Sequence, residues 1–344
     1  MIKKLRLKIP GKVVTNGSYI VLRGETAVSV TIDRFLDVES SFEASEECSI
    51  IVNIKNRERV SCSTNGSVLV CDSSNSETYY IFRIIESFYS LTRIKPANNI
   101  VINMSFDRDF FINESVKTGI GSSACIILGI VCSLLHYNEG AYLANLDSIH
   151  FIESPSLEDY SAIDASPALL KESSETLIPL LYTINKIINP ISSGVDVLSC
   201  LLGCIRFNSK TIKRISNIGK YLILGTFGKS SSTRSIINQI NLQDEKWDKI
   251  IELNNKILQS PGKDAYREYL DHLFALNNFT VPEKQYEILK ETFEFDIYGC
   301  GISGAGGEDA VWCIVDDHRP VSEYWSTRFS SVIVTLIVKN GVVF

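Results

Sequence analysis

A glycine-rich turn leads directly into a long apolar segment in the first half of this chain. Residues 117–125 read KTGIGSSAC, and the apolar run ACIILGIVCSLLHYN starts at Ala124. This run is typical of a buried helix. The first N–H groups of a helix have no partner inside it, and the helix dipole places positive charge there, so the stretch predicts an anion site. The alternative is an ordinary helix start with a serine N-cap.

Composition excludes several classes of function. The chain has 344 residues, of which 45 % are hydrophobic and 22 % charged. Its net charge of −6 argues against nucleic acid as the main partner, because such a surface needs a basic stripe. Its 9 cysteines form no CxxC pair, which argues against a zinc site and favours a reducing compartment. No signal-peptide core or membrane-length apolar run is found. We expect a cytoplasmic monomer or homodimer that binds neither nucleic acid nor a membrane.

Hydrophobic periodicity predicts the elements of the N-terminal half. Residues 2–9 alternate as a strand does, and Pro10-Gly11 is expected to turn the chain into three short β pieces within 13–33. Apolar positions three and four apart over 76–91 predict an amphipathic helix, and 98–106 predict a strand.

The C-terminal half alternates predicted strands and helices. Pro179 is expected to limit a helix before SSGVDV, and 221–227 predicts a buried strand. The hydrophilic segment 208–220 predicts the seam between two domains, which we place at 1–215 and 216–344. The second of these is expected to be an α+β unit with a small antiparallel sheet.

Four segments together resemble the GHMP family of small-molecule kinases. They are PGKVVTNGSYIVL (10–22), KTGIGSSA (117–124), SSGVDV (192–197) and GISGAGGEDA (301–310). Within that family, the segment GSYIVL (17–22) and the tract GTFGKSSSTRSII (225–237) are most similar to the eukaryotic phosphomevalonate kinases. The resemblance implies an α+β fold of two domains, the N-terminal one like ribosomal protein S5 and the C-terminal one like ferredoxin.

The resemblance also implies a reaction. The γ-phosphoryl group of ATP, held with Mg²⁺, would pass to 5-phosphomevalonate, giving 5-diphosphomevalonate and ADP in isoprenoid and sterol synthesis. Phosphoryl transfer requires a cradle for the donor phosphates, a divalent metal, a group that orients the acceptor, and cations. One of the two serines in the cradle would also bind Mg²⁺. The implied cradle consists of Lys117, Gly119, Gly121, Ser122, Ser123 and Ala124.

Asp196 and Lys12 are the catalytic residues that the resemblance implies. Asp196 follows Ser193-Gly194, which would lie at the substrate, and it would act as general base or orient the acceptor while Lys12 stabilises negative charge. By themselves the residues leave simpler roles open, a helix N-cap for Asp196 and a solvated turn lysine for Lys12. A phosphate acceptor has a second pKa of about 6, so positioning would matter more than proton removal.

The hydroxyl-rich tract after the strand 221–227 is expected to hold the phosphate of the acceptor. Its residues Ser231, Ser232 and Thr233 are the candidates, and an ordinary helix cap is the alternative. Two positions depart from the pattern of phosphomevalonate kinases, with Ser303 in place of proline and Pro190 in place of lysine. The open alternatives are therefore mevalonate kinase, another GHMP kinase, and a non-catalytic protein that has kept the fold.

Overall fold

The structure is a computed structural model of the chain. It describes residues 3–45, 48–65, 68–71, 75–94, 98–112, 116–143, 156–157, 168–216, 218–229, 233–276, 280–304 and 306–343.

Helices and strands are interspersed along the described chain. The strands are β1 (Lys3–Asn16), β2 (Ala27–Ala44), β3 (Ser49–Ile54), β4 (Arg59–Asn65), β5 (Val68–Cys71), β6 (Asn98–Phe106), β7 (Phe111–Ile112), β8 (Val116–Lys117), β9 (Ser156–Leu157), β10 (Ile205–Phe207), β11 (Thr211–Arg214), β12 (Tyr221–Thr226), β13 (Gly299–Ile302), β14 (Val311–Val315) and β15 (Ser331–Val338). The helices are α1 (Ser76–Thr92), α2 (Ser122–Leu143), α3 (Ala168–Ile188), α4 (Val195–Leu202), α5 (Thr233–Ile237), α6 (Lys246–Gln259), α7 (Lys263–Leu276), α8 (Glu283–Thr292) and α9 (Arg319–Ser326).

The first sheet is built on a long antiparallel hairpin of β1 and β2. Strand β6 pairs with β2, β3 runs parallel to β6, and β4 and β5 complete that side. At the other end of β2, β10 pairs with it and β11 pairs with β10. Apolar side chains on these strands, including Leu7, Ile9 and Val38, are almost fully buried.

Helices α1, α2 and α4 pack against this sheet, and α3 packs against these three helices. Glycine at position 129 lets α2 lie close to the strands, because a Cβ there would lie 3.0 Å from the Met104 and Val38 side chains. The start of α1 is fixed by Asn75, whose side chain accepts the Glu77 and Thr78 N–H groups in a capping box. The packing holds the N-terminal end of α2 beside β1, where the candidate site lies.

The second sheet is antiparallel, with the strand order β13-β14-β12-β15. It is joined to the first sheet because the end of β15 pairs with β2, Ile337 lying opposite Ile32. Helices α7, α8 and α9 contact its strands. The predicted α+β class is confirmed, with helices packed on two largely antiparallel sheets.

Two predictions for the N-terminal half are wrong in detail. The chain does not turn at Pro10-Gly11, because β1 continues through them and a register shift against β2 absorbs the irregularity. Residues Ile20–Arg23 form a 3₁₀ helix rather than a strand. The physical reason is the positive φ of 77° at Gly17, which reverses the chain so that Ile20 becomes buried in a helical turn.

Three further differences concern the second half. Pro179 lies inside α3, where buried neighbours such as Leu180 and Leu181 stabilise the helix despite the missing N–H group. The predicted seam at 208–220 contains β11, which belongs to the first sheet up to Arg214. Helix α9 was not predicted. The boundary between 1–215 and 216–344 stays a prediction.

The state of the cysteines and the apolar character of the helices relate to two expectations from composition, a reducing compartment and no membrane span. The nine cysteines are free thiols, eight of them buried. Within the described residues, no helix is both long enough and apolar enough to span a membrane.

Candidate active site

Lys12 lies on β1 beside the glycine-rich turn. Its N–H donates to the Ile120 carbonyl oxygen at 2.9 Å, which ties the strand to the turn. Its side chain then crosses the face of Gly121, where a Cβ would lie 2.8 Å from Lys12 Cε. The side chain of Lys12 is 6 % exposed. Glycine at 121 thus permits the turn, at a φ of 88°, and also makes room for this lysine.

The turn presents backbone N–H groups at the start of α2. Cys125 N–H donates to the Gly121 carbonyl oxygen at 3.1 Å, which is the first hydrogen bond of the helix. The N–H groups of Ser122, Ser123 and Ala124 have no backbone acceptor among the described residues. Lys117 is exposed next to them, its Nζ 3.4 Å from Ser123 Oγ. This arrangement of free amides, helix dipole and cation can bind an anion.

Asp196 lies across from this turn and is paired with Lys12. Asp196 Oδ1 is 2.5 Å from Lys12 Nζ, and the Asp196 side chain is 43 % exposed. The carboxylate therefore neutralises a buried ammonium group while keeping a face open to solvent. Asp196 is not the N-cap of α4, since Gly194 occupies that position and Asp196 is in the first turn.

The segment before α4 has a fixed shape. Gly194 has a φ of 90°, and a Cβ there would lie 2.7 Å from the Tyr182 ring, so only glycine fits. Ser192 Oγ accepts hydrogen bonds from Gly194 N–H at 3.2 Å and from Asn185 Nδ2 at 3.1 Å. Lys186 Nζ donates to the Ser192 carbonyl oxygen at 2.5 Å. Burial lowers the pKa of Lys186.

A cavity of about 520 Å³ brings most of the predicted site residues together. The turn at the start of α2, the Lys12–Asp196 pair and the segment 188–193 all line it. Tyr19, Leu22, Ile237 and Asp309 form other parts of the wall. The predicted residues that line it are Lys12, Lys117, Gly119, Gly121, Ser122, Ser123, Ala124, Ser193 and Asp196.

The remaining predicted site residues do not line the cavity or lie outside the described residues. Gly194 is close by but packs against Tyr182 instead of lining the cavity. Ser231 and Ser232 lie outside the described residues, and so does the side chain of Thr233, which begins α5. Lys229, the cation of this tract, lies 3.6 Å from Glu308.

The second glycine-rich loop, 301–307, packs beside the first. Ser303 lines the cavity, and its Oγ would lie 3.6 Å from a Cβ on Gly119. Gly304 N–H donates to the Val14 carbonyl oxygen at 3.3 Å, and Gly307 N–H to that of Thr280 at 2.8 Å. The loop therefore supports the site by bonding to β1 and to Thr280, three residues before α8 begins.

Sequence reasoning missed residues that lie behind the cavity wall. Tyr80 on α1 donates from its hydroxyl to the Ser123 carbonyl oxygen at 3.3 Å, and the Asn189 side chain lies next to the same hydroxyl. Burial raises the pKa of Tyr80 well above its usual value, so the hydroxyl remains a donor. In the sequence Tyr80 is one aromatic residue of an amphipathic helix, and its pattern gives no signal of this contact.

The donor set of the cavity fits a hydrated magnesium ion better than a dedicated metal cage. The described residues contain no group of three or more His, Cys, Asp or Glu side chains that could hold a metal. Mg²⁺ keeps several waters and is commonly bound by one or two protein oxygens together with substrate phosphates. The hydroxyls of Ser122 and Ser123 and the open face of Asp196 line the cavity and supply such oxygens.

Comparison with known proteins finds one similar sequence and many similar folds. No family model matches the chain. A phosphomevalonate kinase of Saccharolobus solfataricus is 23 % identical over 350 residues, covering 94 % of both chains. The mevalonate kinase of Methanococcus jannaschii superposes with a TM-score of 0.63 at 18 % identity, covering 98 % of both chains.

A phosphomevalonate kinase of Streptococcus pneumoniae, in complex with phosphomevalonate and AMPPNP, superposes with a TM-score of 0.62. It is 13 % identical, and the match covers 96 % of this chain and 99 % of that one. Over nearly its whole length, the chain has the α+β fold of the GHMP kinases.

Proposed function

We propose that the chain is an ATP- and Mg²⁺-dependent kinase that transfers the γ-phosphoryl group to 5-phosphomevalonate. One observation carries this proposal, the Lys12–Asp196 pair at 2.5 Å lining the same cavity as the free amides at the start of α2. Phosphoryl transfer is catalysed mainly by positioning and by electrostatic stabilisation. An anion-binding turn next to a lysine-carboxylate pair provides both.

The donor phosphates are assigned to the turn. The N–H groups of Ser122, Ser123 and Ala124 would donate to phosphate oxygens, and the helix dipole adds favourable charge. Lys117 is exposed at the mouth and would contact the same phosphates as a point charge. Gly119 and Gly121 hold the backbone in the positive-φ conformation that the turn requires.

Asp196 and Lys12 are assigned to the acceptor. The attacking oxygen belongs to a phosphate that is largely deprotonated at neutral pH, its second pKa being about 6. Asp196 would therefore orient the acceptor, and Lys12 would stabilise the charge that builds up between donor and acceptor oxygens. With Lys12 already paired to Asp196, further donors are needed for the phosphate of the acceptor.

Mg²⁺ would be held by Ser122 or Ser123, with Asp196 as a further oxygen donor. When bound, it neutralises charge on the phosphates of ATP. The chain's own residues then position the two substrates.

The choice of phosphomevalonate rests on the similar sequence from Saccharolobus solfataricus, which is a phosphomevalonate kinase. The tract with Ser231 and Ser232 supports it, because α5 begins directly after the tract and its Ile237 lines the cavity. The product would be 5-diphosphomevalonate, in the mevalonate pathway. Mevalonate kinase is the second candidate, favoured by the fold match with the Methanococcus jannaschii enzyme.

A coupled assay of ADP release tests the proposal directly. Phosphomevalonate, mevalonate and homoserine are offered in parallel with ATP and Mg²⁺. A site built for a dianionic group rejects a ligand that lacks it, so mevalonate is expected to be poorer by a factor of up to roughly 10⁴ in kcat/KM. Equal turnover of mevalonate would make mevalonate kinase the better assignment, and no turnover of any acceptor would refute the kinase proposal.

A double serine variant tests the acceptor subsite. Replacing Ser231 and Ser232 together by alanine is expected to raise KM for phosphomevalonate at least tenfold, while KM for ATP changes little. The matched control replaces two serines of α9 by alanine, the half-buried Ser322 and the exposed Ser326, and should behave as wild type. If the Ser231/Ser232 double variant loses ATP affinity instead, the tract is not the acceptor subsite.

A further inference from the structure

Tyr80 connects the two sides of the cavity without lining it. Its hydroxyl donates to the Ser123 carbonyl oxygen at 3.3 Å, in the first turn of α2. Burial raises the pKa of this hydroxyl, and the neighbouring Asn189 side chain, which lines the cavity, counteracts that rise. The hydroxyl therefore lies between the first turn of α2 and the segment that follows α3.

Asn189 is one of the residues that hold the segment before α4 in place. Its N–H donates to the Asn185 carbonyl oxygen at 2.8 Å, which continues the last turn of α3. Its own carbonyl oxygen accepts the Ser192 N–H at 2.9 Å, closing the turn 189–192. Ser192 Oγ in turn accepts the Gly194 N–H at the cap of α4. Movement of Asn189 would therefore be passed along this chain of hydrogen bonds to Asp196.

We propose that Tyr80 is a positioning residue that holds the acceptor side of the cavity, 189–196, at a set distance from the donor side at Ser123. The proposal rests on the proposed function, in which these two sides bind acceptor and donor. Its role is exerted through Ser123 and Asn189 and not by contact with substrate. A displacement of about 1 Å between reacting groups can reduce the rate by roughly 10², so a single side chain that contacts both sides can affect turnover.

The test uses Tyr80→Phe, which keeps the ring and removes only the hydroxyl. Tyr79→Phe is a matched control on the same helix, since the Tyr79 side chain is 53 % exposed and makes no hydrogen bond among the described residues. We expect kcat of Tyr80→Phe to fall about tenfold while KM for ATP and for the acceptor stay within about twofold. Tyr79→Phe should match wild type in every quantity.

Amide hydrogen exchange provides a readout that does not depend on activity. In Tyr80→Phe, amides of 191–196 should exchange several-fold faster, whereas those of the distant strand β14 should keep their wild-type rates. A merely structural role would lower the melting temperature without changing kcat per folded molecule. If Tyr80→Phe is indistinguishable from Tyr79→Phe in both kcat and exchange, the proposal is overturned.

A double-mutant cycle with Asn189→Ala locates the effect. If Tyr80 acts through Asn189, the double variant loses no more in kcat than the more impaired single variant. Fully additive losses would overturn the proposed route. Should the wild-type protein phosphorylate none of the acceptors, the proposed function fails, while the exchange rates of 191–196 still decide whether Tyr80 fixes that segment.

Discussion

The two glycine-rich loops of this chain use their backbones in opposite ways. At the start of α2, the N–H groups of Ser122, Ser123 and Ala124 have no backbone acceptor in the described part of the chain. In the loop 301–307, Gly304, Gly306 and Gly307 all donate to carbonyl oxygens of the protein. Glycine content alone therefore does not identify a phosphate site. What matters is whether the amides are already bonded, because only free donors can bind a ligand.

Each loop also has an ion pair beside it, and the two pairs differ in burial. Lys12 and Asp196 are 6 % and 43 % exposed in their side chains, whereas Lys229 and Glu308 are 68 % and 47 % exposed. An exposed pair contributes about 0–1 kcal/mol to stability. Around a pair with a buried lysine, water screens the charges less, so they interact more strongly with the charges of bound substrates.

The largest effect is expected at Asp196. Asp196→Asn keeps the volume and removes the charge, and turnover should fall about 10²–10⁴-fold, while Glu308→Gln at the other pair should leave it within about twofold. Steady-state kinetics of the two variants provides the comparison. Wild-type turnover in a folded Asp196→Asn protein would show that this pair is only structural.

Asp196→Asn also leaves the Lys12 ammonium buried without its counter-charge, so some stability is lost as well. The double variant Lys12→Met/Asp196→Asn should recover stability, since neither charge remains, but not activity. Thermal denaturation and turnover, measured on the same preparations, separate the two effects.

The next largest effect is expected at Gly121 in the first loop. In Gly121→Ala, the added Cβ would lie 2.8 Å from Lys12 Cε, which is too close. The Lys12 side chain would have to shift, and its ammonium group would move away from Asp196. We expect kcat to fall about 10²-fold, with a stability loss of only about 1–2 kcal/mol from the positive φ. An unchanged kcat would mean that the position of Lys12 is not critical.

In the second loop, the corresponding change should affect stability instead of catalysis. A Cβ on Gly306 would lie 2.2 Å from the Thr280 backbone oxygen, so Gly306→Ala forces the loop to shift. The free energy of unfolding should fall by roughly 2–4 kcal/mol, with kcat per folded molecule within a few-fold of wild type. Gly304→Ala is the control, because its φ of 55° is also positive but its Cβ meets nothing within 4 Å. In chemical denaturation, the free energy of unfolding of Gly304→Ala should fall by only about 1 kcal/mol.

The smallest effect is expected for Lys117→Ala. The exposed lysine contributes little to folding, so the melting temperature should be nearly unchanged, while KM for ATP rises about tenfold through loss of one charge-assisted contact. Lys210→Ala, at an exposed lysine between β10 and β11, should change neither quantity. Unaltered ATP affinity in Lys117→Ala would count against the first loop as the donor site.

Local sequence determined the elements whose signals are contained within a few turns or a single strand. The apolar run from Ala124 predicts α2, and the periodicities of 76–91 and 98–106 predict α1 and β6, because each burial pattern is set by neighbours along the chain. Predictions from proline and glycine as chain breakers were less accurate. Pro179 is tolerated inside α3, and Pro10-Gly11 is accommodated as a register shift, since packing and strand pairing override local preference.

The types of residue at the candidate site can be read from the sequence: a lysine, a glycine turn with two serines, and an aspartate shortly after a glycine. Which of them meet depends on how the chain folds. Lys12 and Asp196 pair because β1 and α4 pack side by side, and Tyr80 reaches Ser123 because α1 lies against α2. These contacts join residues far apart in the chain, so no local pattern encodes them. The same holds for the glycine loops, whose amides are free or bonded according to the neighbours that folding places beside them.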